Sequence, residues 1–252
     1  MWQAQNLLKS KHCFLGCKGG VSLGKYKGLN VNTKSQDDIE HVKRNLDIAA
    51  SVIGLRRDNL LLLNQGISDK VVFVEQASHD VIEADGAVTN IKNVGLCIRT
   101  ADCAPVLFED RISGVIGVAH AGWRGAFKGI IANVVKMMLE KGAKLENIAA
   151  AVGPCIGQKS YEVDINFYNQ FLEKSDVYAK YFVNGMKKNH YFFDLQSFCV
   201  DQIKNAGIEN IEVSDKDTYE LENEYYSFRR FTHQGIIDTP KDFATELSVI
   251  VL

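Results

Sequence analysis

Thr100-Ala101-Asp102-Cys103-Ala104-Pro105-Val106-Leu107-Phe108, followed by Val115-Ile116-Gly117-Val118-Ala119-His120-Ala121-Gly122-Trp123-Arg124-Gly125, is the stretch on which the reading of this chain turns. Two short apolar runs flank Asp110-Arg111-Ile112-Ser113-Gly114, which has turn chemistry, so residues 106–108 and 115–118 are expected to pair as a hairpin. Pairing across that turn brings Cys103 and His120 to the same end of the hairpin, where the strands stop. A thiol beside an imidazole at strand ends is the raw material of a metal site or of a nucleophile with its base.

Outward from the hairpin, residues 71–75, 95–99, 148–152, 211–213, 225–228 and 247–252 also read as strands. Ser35-Gln36-Asp37-Asp38 starts a helix whose apolar positions Ile39, Val42, Leu46, Ala49 and Ile53 recur at helical spacing up to Gly54. A second helix is expected to begin just past Arg124-Gly125 and to run through Ile130, Ile131, Val134, Met137 and Met138 to Lys141-Gly142. Asp194 caps a third, carrying Leu195, Phe198, Cys199 and Ile203 and closed by Gly207, and Asp164 caps a shorter one through Phe171. Several strands adjoin with no helix between them, so the sheet is expected to be mixed or largely antiparallel and the class α+β. No Pro-, Ser- or charge-rich linker interrupts the sequence, which predicts one domain over residues 1–252.

With 46% hydrophobic residues in 252, the chain can bury a substantial core. A formal net charge of −2 excludes a general polyanion binder, because nucleic-acid affinity draws on clustered excess Lys and Arg; small molecules are the expected partners, and a monomer or small homo-oligomer the expected form. The first nine residues lack an apolar leader core and no run approaches membrane-spanning length, which predicts a soluble cytoplasmic protein with no membrane partner. Six cysteines are too few for a dense secreted framework and are read as reduced thiols, with Cys97 and Cys199 as small hydrophobes inside apolar segments.

Thiolate and imidazole suit zinc and also copper, and a catalytic zinc takes three protein ligands plus water. Cys103 and His120 supply two; His12, His41, His79, His190 and His233 are the histidines left to supply a third. Gly122-Trp123-Arg124-Gly125, at an expected helix start, offers backbone N–H groups and a guanidinium to a phosphate or carboxylate. Gly153-Pro154-Cys155-Ile156-Gly157 and Tyr161-Glu162-Val163 form turns placed to deliver Cys155 or Glu162 into a cleft. If residues 225–228 extend as a strand, Arg229 and Arg230 point to opposite faces and at most one reaches a shared site. Asp102, next to the cysteine, is read either as a proton-shuttling acid or as a group that orients a histidine or caps backbone N–H groups.

Taken together, Gly19-Gly20-Val21-Ser22, Leu29-Asn30, Ala84-Asp85-Gly86-Ala87-Val88-Thr89, the two site runs, Val152 to Ile156, Tyr161-Glu162-Val163 and Ser227-Phe228-Arg229-Arg230 resemble the laccase-domain proteins. These are also named multicopper polyphenol oxidase-like proteins or purine nucleoside phosphorylases of the laccase-domain type. The resemblance implies a single α/β sandwich domain that binds one metal, usually zinc, through a histidine, Cys103 and His120. It implies phosphorolysis of adenosine, inosine, guanosine and methylthioadenosine, with adenosine deamination as a second activity; for these reactions Arg124, Gly125, Glu162 and Arg229 are the residues expected toward phosphate and substrate, and Asp102 or Glu162 the expected acid in deamination. The oxidase name implies copper-dependent phenol oxidation, which a single metal site supports poorly. Two departures stand out: Gln65-Gly66-Ile67-Ser68 puts Ile67 where the family has its first metal-binding histidine, and Cys17 stands where an arginine is common. His79 or Cys17 is then the candidate third ligand, and a catalytically reduced relative that binds a nucleoside or a protein partner is the competing expectation.

Overall fold

The structure is a computed structural model that describes residues 1–76, 82–237, 239 and 241–252. Its strands are β1 (Lys11–Phe14), β2 (Leu60–Leu62), β3 (Val71–Val74), β4 (Gly86–Thr89), β5 (Gly95–Thr100), β6 (Ala104–Asp110), β7 (Val115–Ala121), β8 (Ile148–Val152), β9 (Glu162–Asp164), β10 (Phe182–Asn184), β11 (His190–Phe193), β12 (Asn210–Val213) and β13 (Glu246–Val251). Its α-helices are α1 (Ile39–Val52), α2 (Trp123–Lys128), α3 (Ile130–Glu140), α4 (Ile165–Lys174), α5 (Leu195–Asn205) and α6 (Phe228–His233).

The β6–β7 hairpin lies inside a six-stranded sheet of order β12-β8-β6-β7-β4-β3, beside a four-stranded sheet of order β1-β13-β5-β2. Alternation along β6 decides how the two stack: Val106 and Phe108 face a helix-covered core, while Leu107 between them faces the second sheet. Strand β7 repeats the pattern, with Val115 and Ala119 on the helix side and Ile116 and Val118 packed with Leu96, Ile98 and Ile250 of the four-stranded sheet. Helices α3 and α5 cover the outer face of the larger sheet through Ile130, Ile131, Val134, Met138, Phe198 and Ile203. Helix α1 covers the smaller one through Val42, Leu46, Ala49 and Ala50. The result is a mixed α/β domain in layers, helix on sheet on sheet on helix, with antiparallel pairing except at β12–β8, β2–β5 and β3–β4. Gly117 lets α3 sit this close: a Cβ there would lie 2.9 Å from Val134 Cγ1 and 3.1 Å from Met138 Sδ.

Local chemistry ends the helices where it should. Asp38, Asp164 and Asp194 accept hydrogen bonds from Glu40, Phe167 and Ser197 N–H at the starts of α1, α4 and α5. Two expectations are corrected. The helix after the Trp-Arg-Gly run begins earlier, at Trp123, and breaks at Gly129 (φ 105°) before α3 resumes, so Arg124 and Gly125 lie in its first turn rather than ahead of it. Residues 225–228 are not a strand. Tyr225 and Tyr226 are buried in an irregular segment, and Ser227 accepts from Arg230 N–H to start α6.

Candidate active site

In the hairpin register Pro105 is opposite His120 and Ala104 opposite Ala121, and Cys103 immediately precedes β6. Gly122 measures how closely the two functional groups converge. A Cβ at that position would lie 2.8 Å from Cys103 Sγ and 3.9 Å from His120 Nε2. Glycine is required there by close approach, because its φ of −66° is open to any residue.

His120 is almost wholly buried, and its Nδ1 lies 2.8 Å from Asp85 Oδ1. That bond leaves Nε2 turned toward the thiol. Asp85, fully buried, also accepts from the N–H groups of Gly66 (3.2 Å), Ile67 (3.1 Å) and Ser68 (2.6 Å) and from Ser68 Oγ (2.6 Å). Burial pushes its carboxyl up, but the bonds from His120 and Ser68 outweigh it and hold the group well below the usual carboxylate range. For His120, burial opposes the charge; the neighbouring Cys103 and the Asp85 carboxylate prevail and raise it to about 10. One carboxylate thus orients the imidazole and ties down the 66–68 turn across from it.

Asp102 is held at both carboxylate oxygens. It is buried, at φ 86°, and its Oδ1 accepts from Thr218 Oγ1 (2.7 Å) while Oδ2 accepts from Ser227 Oγ (3.0 Å) and Arg229 N–H (2.7 Å). Burial is the leading influence on the carboxyl and leaves it raised above its ordinary value. These bonds fasten the start of α6 to the Cys103 loop. They also place Arg229, whose Nη1 donates to Glu162 O (2.7 Å) and whose guanidinium lies 5.1 Å from the Tyr161 ring. Arg230 turns the other way and donates to Thr218 O, Tyr219 O and Tyr225 O.

These groups open onto a cavity of about 590 Å³. Cys103, His120 and Ile67 line it, with aromatic walls from Trp123, Tyr161, Phe228 and Phe243 and cations from Lys34, Arg99, Arg124, Arg229 and Lys241. Arg124 stacks on the Trp123 indole at 4.4 Å. Other expected contributors lie elsewhere. Glu162 Oε1 accepts from Met186 and Lys187 N–H outside the cavity wall. Cys155 is buried behind Ile156, which takes its place in the wall, and burial pushes its thiol up. Cys17 packs near Tyr226 and Phe231, away from the lining, and burial raises its thiol too. His12, His41, His190 and His233 do not line the cavity, and His79 lies outside the described residues. The sequence reading missed Lys34, Arg99, Lys241, Phe243 and the Asp85 network, which long-range contacts bring in from separate loops.

Among the described residues no group of three His, Cys, Asp or Glu is arranged to hold an ion. Cys103 and His120 are two donors, and Ile67, which lines the cavity and whose N–H donates to Asp85, has no side-chain atom to give. A three-ligand catalytic zinc does not fit the described residues.

Comparison with known proteins agrees with the fold. The family model described as multi-copper polyphenol oxidoreductase laccase matches residues 11–237. A purine nucleoside phosphorylase of Rickettsia prowazekii is 41% identical over 181 residues, covering 72% of this chain and 75% of its own length. One from Deinococcus radiodurans is 36% identical over 219 residues, covering 87% and 83%. The crystal structure of the Bacillus licheniformis hypothetical protein YfiH superposes with a TM-score of 0.84 at 28% identity, covering 93% of this chain and 89% of the other. No helix among the described residues is long and apolar enough to cross a membrane. The chain belongs to the multi-copper polyphenol oxidoreductase laccase family, the laccase-domain proteins.

Proposed function

We propose that the protein is a purine nucleoside phosphorylase acting on adenosine, inosine, guanosine or methylthioadenosine. The observation that carries this reading is the joining of aromatic walls and guanidiniums in one cavity over the Cys103–His120 floor. Trp123, Tyr161, Phe228 and Phe243 line the cavity with aromatic surface suited to a purine, and stacking of a base on an aromatic ring is worth about 1–3 kcal/mol. Arg124 and Arg229 offer charge to phosphate.

In the reaction a phosphate oxygen bonds to the ribosyl C1′ as the glycosidic C–N bond breaks, the purine leaves with a proton, and ribose 1-phosphate remains. The walls keep out water that would otherwise hydrolyse the oxocarbenium-like centre. His120, held at Nδ1 by Asp85, presents Nε2 as a proton donor toward the departing base. No step runs through zinc or copper, since the described donors are one short. Adenosine deamination is not favoured, because Asp102 and Glu162 are committed to the α6 start and to the 186–187 backbone.

Ile67 favours a second reading, a relative that binds nucleosides with reduced turnover. Phosphate-dependent release of free purine separates the two, with Arg124→Ala as the control. We expect release that needs phosphate, and an Arg124→Ala variant that needs roughly tenfold more phosphate or beyond. Nucleoside binding without release selects the second reading, and neither binding nor release refutes both.

A further inference from the structure

The cations of the cavity fall into two groups. Arg124 and Arg229 stack on Trp123 and Tyr161. Lys34, Arg99 and Lys241 belong to a different edge, built from the 32–34 loop, the end of β5 and the segment leading into β13. Asn32 Nδ2 donates to Lys241 O (3.2 Å) and Phe243 O (2.6 Å), which pins that segment to the 32–34 loop and sets Lys34 and Lys241 on one rim. Register places Glu246 of β13 opposite Thr100 of β5, and both Thr100 and Thr245, the residue just before Glu246, line the cavity.

Two features of this edge call for an anion. Its three cations have no carboxylate within ion-pair distance among the described residues: Lys34 Nζ donates to Asn64 Oδ1, and Arg99 donates from Nη1 to Thr33 Oγ1 (2.9 Å) and from Nη2 to Leu63 O (2.9 Å), all neutral acceptors. Their mutual repulsion is felt: burial first, then Arg99 and Lys241, lower the Lys34 ammonium against the opposing pull of Glu83 and Asp85. In addition, Arg99 Nε, Thr100 Oγ1 and Thr245 Oγ1 are buried polar atoms without a partner, and all three residues line the cavity. Buried donors are rarely left unpaired, and each costs stability until a ligand meets it.

We propose that this edge is an anion subsite that takes a phosphate dianion, either free or esterified to the ribose of a nucleoside. Two lysines at the rim neutralise its charge, while Arg99 Nε and the two threonine hydroxyls supply directed hydrogen bonds from the floor. With Arg124 and Arg229 at the other group, the cavity then accommodates two anionic groups with a purine between aromatic walls. The nucleoside part of this ligand rests on the function proposed above; the charge of the subsite does not.

Calorimetric titration of the protein with adenosine, adenosine 5′-monophosphate and orthophosphate, each separately, tests it. We expect the monophosphate to bind at least about tenfold more tightly than adenosine, and Lys34→Gln/Lys241→Gln to erase that advantage while leaving adenosine affinity unchanged. Thr245→Val should weaken the monophosphate and raise the melting temperature, because it removes an unpaired hydroxyl; a merely structural threonine would not move both in those directions. If the parent binds two equivalents of orthophosphate and the double variant one, while the monophosphate shows no advantage, the subsite stands with free phosphate as its ligand. If neither phosphate species responds to the double variant, the subsite is overturned. Absence of adenosine binding to the parent protein overturns the nucleoside reading alone, since the orthophosphate arm still decides the subsite.

Discussion

Replacing Asp85 by asparagine should cost more stability than any exposed substitution, with a pH signature that identifies the cause. The carboxylate accepts five hydrogen bonds, from Gly66, Ile67 and Ser68 N–H, Ser68 Oγ and His120 Nδ1, while fully buried. Asparagine keeps one acceptor oxygen but turns an NH₂ group toward N–H donors. Hydrogen bonds to a charged group are worth about 1.5–3 kcal/mol each, and breaking a buried charged pair about 3–5 kcal/mol, so we expect Asp85→Asn to lose about 3–5 kcal/mol at pH 6. Asp85 is held below its ordinary value, so its contribution is present above about pH 3.9 and is lost as the pH falls further. His120 is raised to about 10, so its contribution is complete below an unfolded value of about 6.5 and is lost as the pH rises through about 10. Urea unfolding of parent and variant at pH 3, 6 and 10 should therefore show the largest difference at pH 6. A difference below about 1 kcal/mol at pH 6, or one that is flat with pH, would refute the argument.

Ile67 is 43% exposed at a φ of 62°, where a β-branched side chain is strained, so Ile67→Asn should raise the melting temperature by roughly 2–4 °C. Ile67→His should do the same and add a further rise with zinc; an equal zinc response in parent, Asn and His proteins would show that another group already completes the site. Gly122→Ala forces a methyl group to 2.8 Å from Cys103 Sγ, so we expect a folded protein, destabilised by about 1–3 kcal/mol, with its thiol displaced and turnover lowered at least about tenfold. Unchanged turnover would contradict the convergence of thiol and imidazole as the working arrangement. Asp102→Asn should raise the KM for phosphate several-fold by loosening the α6 start and Arg229, with kcat less affected. A fall in kcat at constant KM would instead assign Asp102 to the chemistry.

The β6–β7 hairpin was legible because two short apolar runs flank the turn-forming residues 110–114, and the helices because each aspartate cap is local to its own first turn. The 225–228 segment misled because its aromatic run has strand composition, whereas Ser227 and Arg229 are claimed by Asp102, more than a hundred residues away in sequence. Cys103 and His120 could be paired in advance because one turn joins their strands. Asp85 could not, since its partners His120 and residues 66–68 come from separate parts of the chain and no spacing links them. The same holds for the Lys34–Arg99–Lys241 edge, whose residues meet only when β13 pairs with β5 and Asn32 pins the 241–243 segment. The vacancy at Ile67 was readable only through the family resemblance, because an isoleucine in a Gln-Gly-Ile-Ser turn carries no chemical signal of its own.

The most direct test of the account is phosphorus NMR of the protein incubated with adenosine and orthophosphate without added metal. The account predicts a growing ribose 1-phosphate resonance matched one for one by free adenine, and no product when phosphate is omitted. Adenine formed without ribose 1-phosphate, or inosine in place of adenine, would contradict it.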